Sequence, residues 1–309
     1  MRLIRQLSLG GPEVLELVDA PRPEPGPTEV LVRVAAAGVN PVDWKTRARG
    51  GFLGKPPFTV GWDVAGVVER VGAGVARFAP GDRVFGMPRF PHEAAAYAEY
   101  VTSPSRQLAR IPEGLSDVDA AALPLAGLTG WQALVETADV QPGQRVLILG
   151  AAGGVGHLAV QIAKSRGAYV IATASAPKHA FLAELGADET VDYTTEVVEE
   201  RVRDVDVALD VVGGDTAPSV LPALRNAGIF VTLSGAVVGP LREAAGGRVQ
   251  VSGILVEPDR MGMEALAEQV AGGALRPHVS RTFPLEDAAH AHQLGETGRT
   301  QGKLVLTVD

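Results

Sequence analysis

Apolar and polar positions change period along the chain, and the sharpest change spans residues 145–164. Residues 146–149 form an uninterrupted apolar run, the pattern of a parallel strand covered on both faces. Residues 150–156 are small-sided, and from Leu158 onward apolar residues recur at helical spacing. A second apolar run, 169–174, closes a strand–turn–helix–strand unit of about 30 residues. Glycine in such a turn lets backbone N–H groups approach a ligand and lets the helix sit close on the strand. The helix N-terminus then offers unpaired donors to a pyrophosphate. Aligned to G-x-G-x-x-G, the turn reads Ala151-x-Gly153-x-x-Gly156, with Gly150 just ahead of the alanine. The flanking elements carry this reading more than the fingerprint does.

The first third reads differently. Strand candidates are short and bounded by turn residues: 14–18, 29–34, 60–72, 83–86 and 98–101. The proline-rich stretch 21–27 can be neither a central strand nor a helix interior, so it is an exposed link. Pro41 holds Asn40 extended, and Asp43 and Trp44 open a short helix. This pattern predicts a β-rich domain, a small barrel. Near Ser116 the texture changes: a capping serine, Asp117 and Asp119, then alanines, signal a helix start, and 128–135 reads as a second helix. Beyond residue 145, strands and helices alternate. Strands are expected at 189–193, 205–212, 229–233 and 249–256, with helices at 177–185 and 218–226. Such alternation implies a doubly wound parallel sheet. The tail from residue 275 gives a short helix at 283–292 and a closing strand at 304–308, and should return to the first domain. The expectation is an α/β chain with a catalytic domain at 1–117 and 275–309 and a nucleotide-binding domain at 118–274.

Charge and composition narrow the partners. A net charge of -8 argues against nucleic acid and anionic membranes, which need a basic footprint. The absence of cysteine removes disulfides, thiolate zinc sites and cysteine nucleophiles. The apolar part of residues 1–7 is too short for a signal peptide, and no run reaches the length of a membrane span. A cytoplasmic protein with a small-molecule substrate follows as the expectation. His290 and His292 fall on a helix with rings on different faces, and His92-Glu93 lies in a loop, so no metal site is expected.

The nucleotide can be read one step further. In the NAD pattern an acid about 20 residues beyond the fingerprint accepts the ribose 2′-hydroxyl. Here residues 172–179 hold no carboxylate, and the next acid, Glu184, lies inside a helix. Ser175 and Lys178 can donate to a 2′-phosphate, which an acid would repel. The local reading is therefore NADPH.

Several blocks recur together. They are Gly38-Val39-Asn40-Pro41-Val42-Asp43, the stretch from Gly61-Trp62-Asp63 to Gly81-Asp82-Arg83-Val84, and 126–134. The glycine turn, Leu185-Gly186-Ala187-Asp188, 210–214 and Gly302-Lys303-Leu304-Val305-Leu306 complete the set. In this order, over essentially the whole chain, they resemble the zinc-independent quinone oxidoreductases, the zeta-crystallin-like branch of the medium-chain dehydrogenase/reductase superfamily. The resemblance implies a GroES-like β-barrel domain, a Rossmann domain, NADPH in the cleft between them and a homodimer. By position it places Asn40 near the nicotinamide and the substrate, beside Asp43, Trp44 and Lys45. It also assigns Thr129, Gly150, Ala152, Gly153, Gly154, Val155, Thr173, Ser175, Lys178, Tyr193, Val212, Gly213, Ser234, Gly235, Leu255 and Val256 to the cofactor.

Zinc-dependent alcohol dehydrogenases of the superfamily carry a cysteine near the place of Asp43, a histidine–glutamate pair near Trp62-Asp63, and a four-cysteine lobe; this chain has none of them. Trp44 stands where many quinone reductases have tyrosine. Without zinc the hydride acceptor must be electrophilic by itself, which points to quinones and α,β-unsaturated carbonyls. The Asn40 amide or Lys45 is the expected donor to the developing oxyanion. For Asp43 a helix-capping role competes with a catalytic one, and for Trp44 a wall of the cleft is expected. The alternatives to quinone reduction are an enoyl reductase of a biosynthetic pathway and a non-catalytic NADPH-binding or sensing protein.

Overall fold

The computed structural model describes residues 1–214 and 216–308. Internal contacts divide the chain into two units: Met1–Leu128 with Glu257–Gly273 and Pro277–Asp309, and Thr129–Val256 with Ala274–Arg276. Residues 118–128 and 257–273 are tied into the first unit. The Leu125 N–H donates to buried Asp63 (2.7 Å), and Glu264 pairs with Arg77 (2.6 Å).

The first unit opens with β1 (Arg2–Arg5) and β2 (Glu16–Asp19), paired antiparallel. The strand expected at 14–18 starts later, since Pro12–Val14 turns as a 3-10 helix. β3 (Glu29–Val39) is the long central strand, and Val30, Leu31, Val32, Val34, Ala36 and Ala37 along it are all buried. It pairs antiparallel with β4 (Val64–Val71) and with β6 (Tyr100–Pro104). β5 (Arg83–Gly86) joins β4 to β7 (Leu108–Arg110). A helix, Pro41–Arg49, follows β3 directly, with proline at its first position. Ser116 caps the helix Asp117–Ala121, accepting from the Asp119 N–H at 3.0 Å, as its position predicts.

The second unit is a six-stranded parallel sheet of β8 (Arg145–Leu149), β9 (Tyr169–Thr173), β10 (Glu189–Val191), β11 (Val205–Asp210), β12 (Leu224–Thr232) and β13 (Gln250–Gly253). Its spatial order is β10-β9-β8-β11-β12-β13. This is the doubly wound order, and its direction reverses between β8 and β11, where ligands bind at the carboxyl ends of the strands. The segments 146–149 and 207–209 are apolar because both faces are covered. Two expectations are corrected. The helix placed at 218–226 stops early: 221–223 is a 3-10 turn and Leu224 already pairs with Val205 in the sheet. The helix placed at 128–135 begins at Pro124 and widens to a π-helix over Gln132–Thr137.

The chain then re-enters the first unit. β14 (Val279–Pro284) runs parallel to β15 (Lys303–Thr307), and β15 pairs antiparallel with the end of β3, Leu304 opposite Val39. That pairing sets Lys303 beside the residues where β3 gives way to its helix.

Candidate functional site

In the second unit the glycine turn leaves β8 at the reversal of the sheet. Gly153 N–H turns back to the Gly150 carbonyl (3.0 Å), and Thr173 from β9 holds the start of the turn, its Oγ1 accepting from Gly150 N–H at 3.2 Å. His157 donates from Nδ1 to the Gly153 carbonyl at 2.9 Å and pins the far side. Gly156 begins the helix Gly156–Ser165. A Cβ there would stand 2.4 Å from the Gly150 oxygen and 2.6 Å from the Ala151 Cα, so only glycine admits this close approach. The helix has no side-chain cap, and among the described residues the N–H groups of Gly154 and Val155 find no acceptor. Bare donors at a helix start suit a phosphate anion.

Neighbouring turns complete this edge. Asp210, fully buried at the end of β11, accepts from Val212 N–H (3.0 Å), Gly213 N–H (2.9 Å) and Thr232 Oγ1 (3.0 Å). Thr232 in turn accepts from Ser234 N–H at 3.1 Å. One carboxylate therefore shapes the loops carrying Val212, Gly213, Ser234 and Gly235. Asp210 had no assigned role in the sequence, although an acid at a strand end before two glycines was visible there.

At the end of β9, Ser175 precedes the short 3-10 helix Ala176–Lys178. Lys178 is partly buried, and that burial lowers its pKa. Tyr193 projects, 58% exposed, from the loop after β10. The structure adds an acid that linear spacing could not place. Asp192 hydrogen-bonds Thr194 through both N–H (2.9 Å) and Oγ1 (2.6 Å), and its pKa is lowered by these bonds and by the nearby Ala176 N–H and His179. Thr129 and Val256 are buried in this unit, while Leu255 is exposed.

In the first unit Asn40 ends β3 at a buried polar network. Its Nδ2 donates to Asp63 Oδ2 at 2.7 Å, and its Oδ1 accepts from the Lys303 ammonium. Among the described residues the second N–H of Nδ2 has no acceptor. Lys303 also donates to the Val39 carbonyl (3.1 Å) and to Asp63 Oδ2 (3.4 Å). Burial presses Asp63 up and Lys303 down toward their neutral forms, and their mutual charge and hydrogen bonds oppose that shift. A Cβ on Gly38 would lie 2.7 Å from Asp63 Oδ2 and 2.3 Å from the Ala121 carbonyl, so glycine makes room for this carboxylate.

Asp43 is fully buried and caps its helix: Oδ2 accepts from Asn40 N–H (2.7 Å) and from the Tyr97 hydroxyl (3.0 Å). Among the described residues its Oδ1 has no partner, and burial, with the charge of Asp63, pushes its pKa up to about 7. Tyr97 Oη lies 3.1 Å from His292 Nε2, and Arg47 donates to His292 Nδ1 at 3.2 Å. That contact fixes the tautomer: Nδ1 accepts, so Nε2–H donates to Tyr97. Burial and Arg47 push the His292 pKa down to about 3.

Trp44 packs edge-on against His292 and over Gly295, and Lys45 is exposed. His290 points outward with its side chain 68% exposed, so the two histidines do face apart. Among the described residues no group of three or more His, Asp or Glu side chains is placed to hold a metal ion, and no helix is long and apolar enough to cross a membrane.

Residues 26–113 match the alcohol dehydrogenase GroES-like domain, and residues 185–306 match the zinc-binding dehydrogenase domain. A 2-haloacrylate reductase from a Burkholderia species is 35% identical, covering 96% of both chains. The solved structure of a quinone oxidoreductase from Coxiella burnetii superposes with a TM-score of 0.95 at 39% identity, covering 100% of this chain and 99% of that one. The chain belongs to the quinone oxidoreductases of the medium-chain dehydrogenase/reductase superfamily. It is an NAD(P)H-dependent oxidoreductase with a small-molecule substrate. The Escherichia coli quinone oxidoreductase, solved as its NADPH complex, covers 99% of this chain with a TM-score of 0.88 at 29% identity.

Within this quinone oxidoreductase fold the expected site residues fall into two sets. Asn40, Asp43, Trp44 and Lys45 lie in the first unit and the remainder in the second. Lys303, Asp63, Tyr97 and His292 were not singled out as site residues from sequence. The one local signal among them was a lysine opening an otherwise apolar strand.

Proposed function

We propose that this protein uses NADPH to reduce quinones or activated α,β-unsaturated carbonyls. The supporting observation is the bare N–H cradle at Gly154 and Val155, held by Gly156 and Thr173 at the sheet reversal, in a chain whose relatives include reductases of quinones and of 2-haloacrylate. The cradle would take the pyrophosphate, and Ser175, Lys178 and Tyr193 the 2′-phosphate. Asp192 is spent on Thr194 and Ala176 rather than left to a ribose hydroxyl, which favours NADPH over NADH. The bound cofactor supplies a hydride. The chain supplies Asn40, whose second amide N–H stabilises the oxygen on which negative charge develops. Asp43 acts beneath it as the cap that holds the Asn40 backbone. A homodimer is part of this reading. The edge strand β13, which among the described residues pairs only with β12, offers it a free edge, and light scattering in solution tests it.

The direct test follows loss of NADPH and of NADH absorbance with 9,10-phenanthrenequinone, 1,4-benzoquinone and 2-chloroacrylate as acceptors. Oxidation of NADPH well ahead of NADH with at least one acceptor supports the proposal. Tight NADPH binding without oxidation by any of them refutes it in favour of a binding protein.

A further inference from the structure

The Asn40 amide is addressed from both ends by opposite charges. Lys303 has only donors, so the group it meets must be an acceptor; Asp63 Oδ2, a carboxylate oxygen, must meet a donor. Turning the amide over would set its NH2 against an ammonium and its oxygen against a carboxylate, losing both bonds at once. A single orientation therefore survives. The surroundings leave neither charge free to relax. The three Lys303 protons are matched by the Val39 carbonyl, Asn40 Oδ1 and Asp63 Oδ2. Asp63 Oδ1 is taken by the Leu125 N–H. Both residues are buried, Lys303 at 3% and Asp63 at 0% exposure.

Such a pair is a poor way to stabilise a core. Desolvation of two ions offsets much of their attraction, and apolar residues of similar volume serve as well or better. What apolar residues cannot do is distinguish the two ends of an amide.

We infer that Lys303 and Asp63 are positioning residues, which lock the Asn40 amide so that its second N–H points in one fixed direction toward the oxygen of the acceptor. The inference rests on the proposed role of Asn40 and adds the two groups that make its donor directional. A donor aimed before the reaction costs no reorganisation as charge develops, and misplacement of such a group by about 1 Å costs roughly 100-fold in rate.

The test is a mutant cycle on the full chain with phenanthrenequinone and NADPH. Lys303→Met with Asp63→Asn removes both charges together, leaves no lone buried ion and frees the amide to turn. The expected result is a fall in kcat of about 10- to 100-fold, with NADPH affinity and thermal midpoint close to the parent. Asn40→Ala should fall similarly, and the triple variant should be no worse than Asn40→Ala alone. A triple variant in which the losses multiply, or a double variant with parental kcat, overturns the positioning role. An Asn40→Ala variant with parental kcat overturns the underlying assignment of Asn40 instead, and the inference with it. Should the double variant not fold, Asp63→Asn alone is read in the same cycle. A kcat loss absent from the Asn40→Ala background supports the inference, and one that persists there, or no loss, overturns it.

Discussion

Replacing Asp43 by asparagine and His292 by glutamine should tilt the pH dependence of stability in opposite directions. The two groups are linked through Tyr97, and burial shifts both toward neutrality. Asp43 is raised from 3.8 to about 7, and His292 is lowered from 6.5 to about 3. Between pH 3.8 and 6.5 the unfolded chain carries an ionised aspartate and a protonated imidazole. The native protein over that range carries a protonated aspartic acid and a neutral imidazole. Each state holds one proton on the pair, so the pair adds almost no slope to stability against pH.

Removing one member exposes the other. In Asp43→Asn only His292 titrates, and the unfolded state binds the extra proton. Stability should then rise with pH by about 1.4 kcal/mol per unit relative to the parent, or about 3 kcal/mol across the window. In His292→Gln only Asp43 titrates, and the native state binds the extra proton. Stability should fall with pH by a similar amount, the loss continuing as pH rises toward 7. Urea denaturation at several pH values through the window reads both slopes. The reasoning fails if the two variants tilt the same way or if neither departs from the parent.

Three further outcomes follow from the second unit. Gly156→Ala forces a methyl against the Gly150 and Ala151 backbone; it should cost about 1–3 kcal/mol in a denaturant melt and weaken NADPH binding at least tenfold by calorimetry. Lys178→Ala should weaken NADPH binding by roughly 10- to 100-fold and leave NADH binding nearly unchanged, since it removes a charged donor to the 2′-phosphate alone. Asp210→Asn keeps the shape but turns one acceptor into a donor facing the Val212 and Gly213 N–H groups or Thr232. It should lower stability by about 1–3 kcal/mol and loosen both cofactor loops, seen as faster amide exchange at 212–213 and 234–235.

Local chemistry made much of the fold readable. The apolar run 146–149, the small-sided turn and the helical spacing after Leu158 mark the strand, cradle and helix, because period and glycine content are written in consecutive residues. The Ser116 cap was legible for the same reason. Leu224–Asn226 was not: its polar residues suit a helix end, but pairing of Leu224 with Val205 draws the segment into the sheet. The polar network was hidden more deeply. Asp43 and Tyr97 are 54 residues apart, and Tyr97 and His292 are 195 apart, so nothing local links them. Lys303 reaches Asn40 only because β15 returns to pair with the end of β3. Asp192 likewise approaches the turn after β9 only through the pairing of neighbouring strands.

The most direct test of the central claim counts molecules. Protein incubated with NADPH and 9,10-phenanthrenequinone, or with 2-chloroacrylate, should convert NADPH to NADP+ with one reduced acceptor formed for each cofactor consumed, measured by mass spectrometry. Protein that binds NADPH and returns quinone, haloacrylate and cofactor unchanged would contradict it.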